Sequence, residues 1–68
     1  MKIALNQTEI TLPDGATVKE ALAVAGYDTD ARGIAVAVNN ELVKRVDWDS
    51  CQLSQGDDLI VIKAAYGG

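Results

Sequence analysis

The sequence predicts an α+β domain in which one short helix packs on one face of a mixed sheet of about five strands. Two observations indicate this class. Apolar and polar residues alternate with the two-residue period of strands in several short stretches, whereas only residues 17–25 have the spacing of an amphipathic helix. The stretch "LIVIK" is apolar on both faces, which is typical of a strand in the middle of a sheet.

The first two strands are predicted to form a hairpin. In "KIALN" the residues Ile3 and Leu5 share one face, and in "EITL" Ile10 and Leu12 do the same. The polar stretch "NQT" separates the two, and alternation on both sides of a polar break is the signal for a hairpin. The stretch "PDG" at residues 13–15 then marks a turn.

A helix of about eight residues is predicted after this turn, and a helix that short must lie on the sheet to be stable. Thr17 and Glu20 have the spacing of a capping box, in which each side chain bonds to the backbone amide of the other residue. Gly26 is placed to end the helix, because glycine readily adopts the left-handed conformation found there. The apolar stripe facing the sheet would consist of Val18, Ala21, Leu22 and Ala25.

Two further strands are joined by Asn39 and Asn40, which tolerate the positive φ of a tight turn. The stretch "IAVAV" precedes this turn, and "ELVKR" returns after it as a short strand. The following stretch, "VDWDSCQLSQGDD", is predicted to be irregular with at most a single helical turn. Within it Trp48 is expected to pack its ring at the edge of the core, and the alternative is an exposed anchor for a partner.

The last strand, "LIVIK", is predicted to lie in the centre of the sheet, beside and parallel to the first strand. Because one helix covers only one face, Ile60 and Ile62 would lie on the open face of the sheet. The alanines that could extend an apolar patch around them are Ala4, Ala35 and Ala37. Such a patch often marks a protein contact, so Ile60 and Ile62 are candidate partner-binding residues. The alternative is that loops cover them.

This arrangement of strand, strand, helix and three further strands is the β-grasp, or ubiquitin-like, fold. The chain has 68 residues, which is the length of one small domain. We therefore expect a single domain over residues 1–68, with residues 64–68 as a flexible C-terminal tail.

The composition argues against several classes of function. Ten acidic and six basic residues give a net charge of −4, whereas binding to nucleic acid requires a basic face. Histidine, the commonest general base, does not occur in the chain, and no motif matches a phosphate-binding loop. We therefore expect no catalytic side chains and no bound cofactor or metal. With no apolar run long enough to span a membrane and no signal peptide, a cytoplasmic protein is expected.

The single cysteine, Cys51, can form neither an internal disulfide nor a zinc site with other cysteines. We expect it to be a small apolar residue in or near the core. A reactive thiol is the alternative.

The stretch "KAAYGG" suggests a function for the tail. Residues 64–68 reach about 17 Å when extended, and Gly67 and Gly68 can enter a narrow channel because they carry no Cβ. The carboxylate of Gly68 could react there, but only after activation, for example as a mixed anhydride with AMP. Because this chain has no motif that binds ATP, a second protein would have to activate it. The alternative is that the two glycines are a frayed terminus.

Three stretches resemble the ThiS family, the sulfur carriers of thiamin biosynthesis: "LPDGATVKEAL", "GIAVAVNNELVKRVDW" and "LSQGDDLIVIKAAYGG". The middle stretch is the most specific, since the pattern VAVN-x-E-x-V-x-R-x-x-W is typical of carriers in the thiamin pathway. Two positions depart from the family pattern. Asn40 stands where glycine is common, and Tyr66 stands where many members have a third glycine, so Tyr66 would sit at or pass the mouth of the partner's channel.

The resemblance implies a protein cosubstrate rather than an enzyme. An E1-like adenylyltransferase would use ATP and magnesium to adenylate Gly68, and sulfur drawn from cysteine by a desulfurase would displace AMP and leave a thiocarboxylate. Thiazole synthase would then take this sulfur. Two alternatives stay open at this point. One is the small subunit of molybdopterin synthase or another ubiquitin-like sulfur carrier, and the other is a non-catalytic β-grasp binding module.

Overall fold

The structure, a computed structural model, describes residues 1–63 and confirms the predicted fold class. A five-stranded mixed sheet has the strand order β2-β1-β5-β3-β4, with β5 in the centre, parallel to β1 and antiparallel to β3. The elements are β1 (Lys2–Leu5), β2 (Thr8–Thr11), α1 (Val18–Val24), β3 (Ile34–Val38), β4 (Glu41–Val43), a 3₁₀-helix (Arg45–Asp47) and β5 (Asp58–Lys63).

Both hairpins of the sheet turn on two residues with positive φ. Asn6 and Gln7 have φ of 51° and 69°, and Asn39 and Asn40 have φ of 50° and 69°. Positive φ at both central positions is the geometry of a type I′ turn, whose twist matches that of the flanking strands. The second turn is as predicted, whereas the first is shorter than "NQT", because Thr8 already belongs to β2.

The helix α1 begins and ends as the sequence predicts. The amide of Glu20 donates to the Thr17 hydroxyl over 3.2 Å, and the amide of Thr17 donates to the Glu20 carboxylate over 3.3 Å. At the other end Gly26 has a φ of +89°, and the amide of Tyr27 donates to the carbonyl of Leu22 over 2.9 Å. This closure is the Schellman motif. No helix within residues 1–63 is long and apolar enough to cross a membrane.

The core lies between α1 and one face of the sheet. Apolar side chains from the helix, the sheet and the loops meet there. Burying each large side chain contributes roughly 2 kcal/mol to the stability of the fold. The buried apolar residues are Ile3, Leu5, Leu12, Ala16, Val18, Ala21, Leu22, Val36, Trp48, Leu53, Leu59 and Val61. The predicted inward faces of the first strand and of the helix are therefore confirmed, apart from Ala25.

Two predictions for residues at the ends of elements are wrong. Ala25 is exposed rather than part of the buried stripe, because α1 ends at Val24 and the chain turns away at Gly26. The strand β4 ends at Val43, so "ELVKR" is not a strand throughout. Arg45 instead begins the 3₁₀-helix, which is the single helical turn expected in the stretch that follows β4.

The side chain of Trp48 belongs to the core. Only 3% of Trp48 is exposed, and its indole Nε1 donates to the carbonyl of Val43 over 3.1 Å. The guanidinium of Arg45 lies 4.4 Å from the centroid of the Trp48 ring, within the range of a cation–π contact. The same guanidinium donates to the carbonyls of Thr29 and Ala31. The prediction of a core residue is thus confirmed, and the exposed partner anchor is wrong.

Candidate functional site

The face of the sheet opposite α1 is apolar along β5. Leu59 and Val61 point into the core, whereas Ile60 is half-buried and Ile62 is 62% exposed. The loops within residues 1–63 therefore leave Ile62 open, contrary to the alternative that loops cover this face. An isoleucine that is mostly exposed on a central strand is unusual, because apolar side chains there normally gain about 2 kcal/mol from burial.

The strand register places further apolar residues beside these two isoleucines. Ala35 lies opposite Ile62, and Ala37 lies between Ile60 and Leu42 across its two neighbouring strands. Leu42 is 70% exposed. The alanines are short, so the larger side chains on either side stand above them. We call this surface the open-face patch and define it as Ala35, Ala37, Leu42, Ile60 and Ile62.

The open-face patch ends at β1. Ala4 shares the open face as predicted, but it pairs with Asp58 on one side and Glu9 on the other. Glu9 also lies 3.6 Å from the ammonium of Lys2 in an exposed ion pair, which contributes little to stability. The apolar surface is therefore bordered by charged residues on the β1 side and reaches the sheet edge on the β4 side.

Leu42 is a residue of the open-face patch that was not predicted from the sequence. Its place in the patch depends on the register of the β3–β4 hairpin, in which Val38 pairs with Glu41 and Ala37 with Leu42. The two-residue turn at Asn39 and Asn40 sets that register. The turn was visible in the sequence, so counting outward from it would have placed Leu42 on the open face.

The central strand β5 reaches Lys63, the last residue that the structure describes. On one side β3 pairs with β5 as far as Ile34 and Lys63. On the other side pairing with β1 ends at Leu5 and Leu59, and the side chain of Asn6 then bonds to the backbone of Val61.

The predicted sulfur-carrying residue Gly68 and the predicted tail residues Gly67 and Tyr66 lie outside the described residues. Of the predicted site residues, the structure describes Ile60 and Ile62. These two lie on the same face of β5, the strand that precedes residues 64–68 in the chain.

Cys51 is half-buried and packs against the core, as expected for a small apolar residue. Its carbonyl accepts a hydrogen bond from the amide of Val18 over 2.9 Å, which connects the loop to the start of α1. Cys51 also borders a shallow groove beside β4, together with Val43 and Asp47.

Comparison with solved structures shows the fold independently. The chain is similar to the crystal structure of a thiamine biosynthesis protein (ThiS) from Geobacter metallireducens, with a TM-score of 0.80, 23% sequence identity and full coverage of both chains. It is also similar to an NMR solution structure of a thiamine biosynthesis protein from Geobacter metallireducens, with a TM-score of 0.77 and 23% identity over all of this chain and 88% of the other. At this level of identity the likeness confirms the β-grasp fold.

Comparison with sequences gives the family. A search among curated proteins finds no match. The model of the ThiS family, however, matches residues 1–68. The match spans the helix, all five strands and the stretch that contains Gly67 and Gly68, so the resemblance expected from the sequence is confirmed. The chain belongs to the ThiS family.

Proposed function

We propose that this chain is a sulfur carrier for thiamin biosynthesis and that it holds the transferred sulfur on the carboxyl group of Gly68. The observation that carries the proposal is the ThiS family match over the whole of residues 1–68. Two similar structures, one crystal and one NMR, are both of a thiamine biosynthesis protein from Geobacter metallireducens. The fold is consistent with this role, since a central strand that is paired on both sides precedes the stretch with Gly67 and Gly68 in the chain.

The chemistry of a carboxylate requires two steps. An oxygen of the Gly68 carboxylate attacks the α-phosphorus of ATP, pyrophosphate leaves, and an acyl adenylate forms. A sulfur nucleophile then attacks the acyl carbon, the C–S bond forms, and AMP leaves with the former carboxylate oxygen. If the nucleophile is a persulfide, a thiol must reduce the resulting S–S bond to release the thiocarboxylate, and that thiol ends in a disulfide.

The proposed partners supply the ATP-binding site, the sulfur and the acceptor of the sulfur. An E1-like adenylyltransferase binds ATP and magnesium, a cysteine desulfurase provides the sulfur, and thiazole synthase accepts it. Glycines at positions 67 and 68 allow the stretch to enter a narrow active site. The chain is in this proposal a cosubstrate that is loaded and discharged, and it needs no catalytic side chain of its own.

We propose that the open-face patch is the surface that docks on the E1-like enzyme. It combines two strongly exposed residues, Leu42 and Ile62, with the half-buried Ile60 on one face of the sheet. It is continuous with the end of β5, so a partner bound to it would also receive residues 64–68. Exposed apolar surface of this kind is typical of protein contacts.

The substitution Ile62→Glu should weaken docking without unfolding the chain. Ile62 is 62% exposed, so its replacement removes little core contact, whereas a buried carboxylate at an interface would be strongly unfavourable. We expect the Kd for the E1-like enzyme to rise at least tenfold, which corresponds to roughly 1.4 kcal/mol. Isothermal titration against the enzyme measures this change.

The matched control is Val24→Glu. Val24 has the same exposed fraction of 62% but lies at the end of α1, in the opposite layer of the fold. Both substitutions change the net charge equally, so a general electrostatic effect would appear in both. Equal affinities for the two variants would show that the open-face patch is not the docking surface.

The carrier function itself is tested by loading. After incubation with the E1-like enzyme, ATP, magnesium and a sulfur source, the intact mass of the chain should rise by the difference between a sulfur and an oxygen atom. An unchanged mass, under conditions in which the enzyme loads a known carrier, would contradict the proposed function.

A further inference from the structure

The side chain of Asn6 extends the sheet beyond the end of β1. The backbone amide of Asn6 donates to the carbonyl of Leu59 over 2.9 Å, which continues the ladder between β1 and β5. One step further along β5, the amide of Val61 donates to Asn6 Oδ1 over 2.8 Å, and Asn6 Nδ2 donates to the carbonyl of Val61 over 3.1 Å. We call this pair of side-chain bonds the Asn6 clamp. These side-chain bonds replace the backbone bonds that a longer β1 would make to Val61, since β1 ends at Leu5.

The orientation of this amide is fixed by its surroundings. Asn6 Nδ2 has a second hydrogen, which points to the hydroxyl of Tyr27 at 3.3 Å. Rotating the amide by half a turn would place its NH₂ group against the amide of Val61, so two donors would face each other. Tyr27 is itself bonded to the end of α1 through Leu22. The Asn6 clamp therefore connects the helix layer to the last residues of the central strand.

Asn39 provides an internal comparison. It occupies the same position in the second type I′ turn, with a φ of 50° against 51° for Asn6. Its Oδ1 accepts from the amide of Asp58 over 2.9 Å, and its Nδ2 donates to the Asp57 carboxylate over 3.0 Å. Asn39 thus holds the beginning of β5, whereas Asn6 holds its end, next to the residues that lead toward Gly68.

We infer that Asn6 is a positioning residue for sulfur loading, an inference that rests on the proposed function. The Asn6 clamp keeps β5 attached on both sides as far as Val61, so the end of the strand that precedes residues 64–68 in the chain is held on two sides before the partner binds. Without the clamp, the end of β5 keeps only its pairing with β3. More backbone must then be ordered each time Gly68 is placed at the reacting atoms. Because ordering backbone costs conformational entropy, the rate of sulfur loading falls.

The test compares Asn6→Gly with Asn39→Gly. Glycine adopts the positive φ of both turns without strain, so each variant loses only its side-chain bonds. For Asn6→Gly we expect kcat of sulfur loading to fall about fivefold, the effect of losing the order of roughly one residue. The KM for the carrier should be unchanged, because the open-face patch remains. Asn39→Gly should match the unsubstituted chain in both constants.

Hydrogen exchange supplies a second readout that does not depend on loading. The amide of Val61 should exchange faster in Asn6→Gly and at the normal rate in Asn39→Gly. If Asn6→Gly does not fold, Asn6→Asp replaces it, since aspartate keeps the acceptor for the Val61 amide but loses both donated bonds, and the same fall in kcat is expected.

Three results would overturn the inference. Equal losses of kcat in the two glycine variants would indicate a general effect of stability, and an unchanged kcat in Asn6→Gly would show that the clamp does not position the tail. Failure of the unsubstituted chain to load would overturn the proposed function, and this inference with it.

Discussion

A chain that lacks Gly67 and Gly68 should lose sulfur transfer completely and still melt at the temperature of the full chain. The buried apolar residues of the described structure all lie between Ile3 and Val61, so the two glycines are not needed to complete that core. The truncated chain would have to present the carboxylate of Tyr66, whose aromatic side chain does not fit a channel shaped for glycine. Thermal unfolding followed by circular dichroism and intact mass after loading measure the two effects.

The truncated chain should also act as a competitor. It keeps the open-face patch, so it should bind the E1-like enzyme and inhibit loading of the full chain. Adding Ile62→Glu to the truncated chain should raise the concentration needed for this inhibition at least tenfold, in line with its weaker docking, and serves as the control. A melting temperature several degrees below that of the full chain, or sulfur transfer that survives truncation, would contradict the expected separation of fold and function.

The substitution Trp48→Ala should remove most of the stability of the fold. Replacing a buried aromatic residue by alanine costs about 3–5 kcal/mol, and the total for a chain of 68 residues is only about 3–10 kcal/mol. Trp48 is buried, bonded to Val43 and stacked under Arg45, so all of these contacts are lost together. Urea unfolding followed by far-ultraviolet circular dichroism measures the change.

Trp48→Phe is the control for this prediction. Phenylalanine keeps most of the buried area but loses the hydrogen bond to Val43, so a loss of about 1–2 kcal/mol is expected. If Trp48→Ala were as stable as the unsubstituted chain but bound its partner poorly, Trp48 would be a partner anchor and its placement in the core would be wrong.

Local signals in the sequence predicted the elements that depend on neighbouring residues. The capping box of Thr17 and Glu20 and the asparagine turn at positions 39 and 40 are where the pattern placed them. The stop at Gly26 was predicted as well, but Ala25 was assigned wrongly to the buried stripe, because helical spacing shows which residues share a face and not how far the buried part of that face extends. Ala25 is the C-cap of α1, directly before Gly26, and it is exposed.

The parts of the site that depend on strand register could not be predicted in the same way. Asn6 and Val61 are 55 positions apart in the chain, and their contact exists only because β1 and β5 are parallel neighbours with a particular register. In the sequence Asn6 is simply a polar residue in a turn. The exposure of Ile62, by contrast, could be predicted, because one helix covers only one face of a sheet.

The position of the transferred sulfur tests the account most directly. Three chains are incubated with the E1-like enzyme, ATP, magnesium and a sulfur source: the unsubstituted chain, Cys51→Ser, and a chain with one alanine added after Gly68. Cys51→Ser removes the only thiol of the chain, which could otherwise accept sulfur as a persulfide. Intact mass, fragmentation and alkylation then locate any sulfur that has been added.

We predict that the unsubstituted chain and Cys51→Ser gain the mass difference between sulfur and oxygen, and that alkylation traps this change on Gly68. The extended chain should remain unmodified, and thiazole synthase with its other substrates should return the loaded chains to their original mass. Addition of a whole sulfur atom to Cys51, with Gly68 unchanged, would contradict the account and identify the chain as a thiol-based relay.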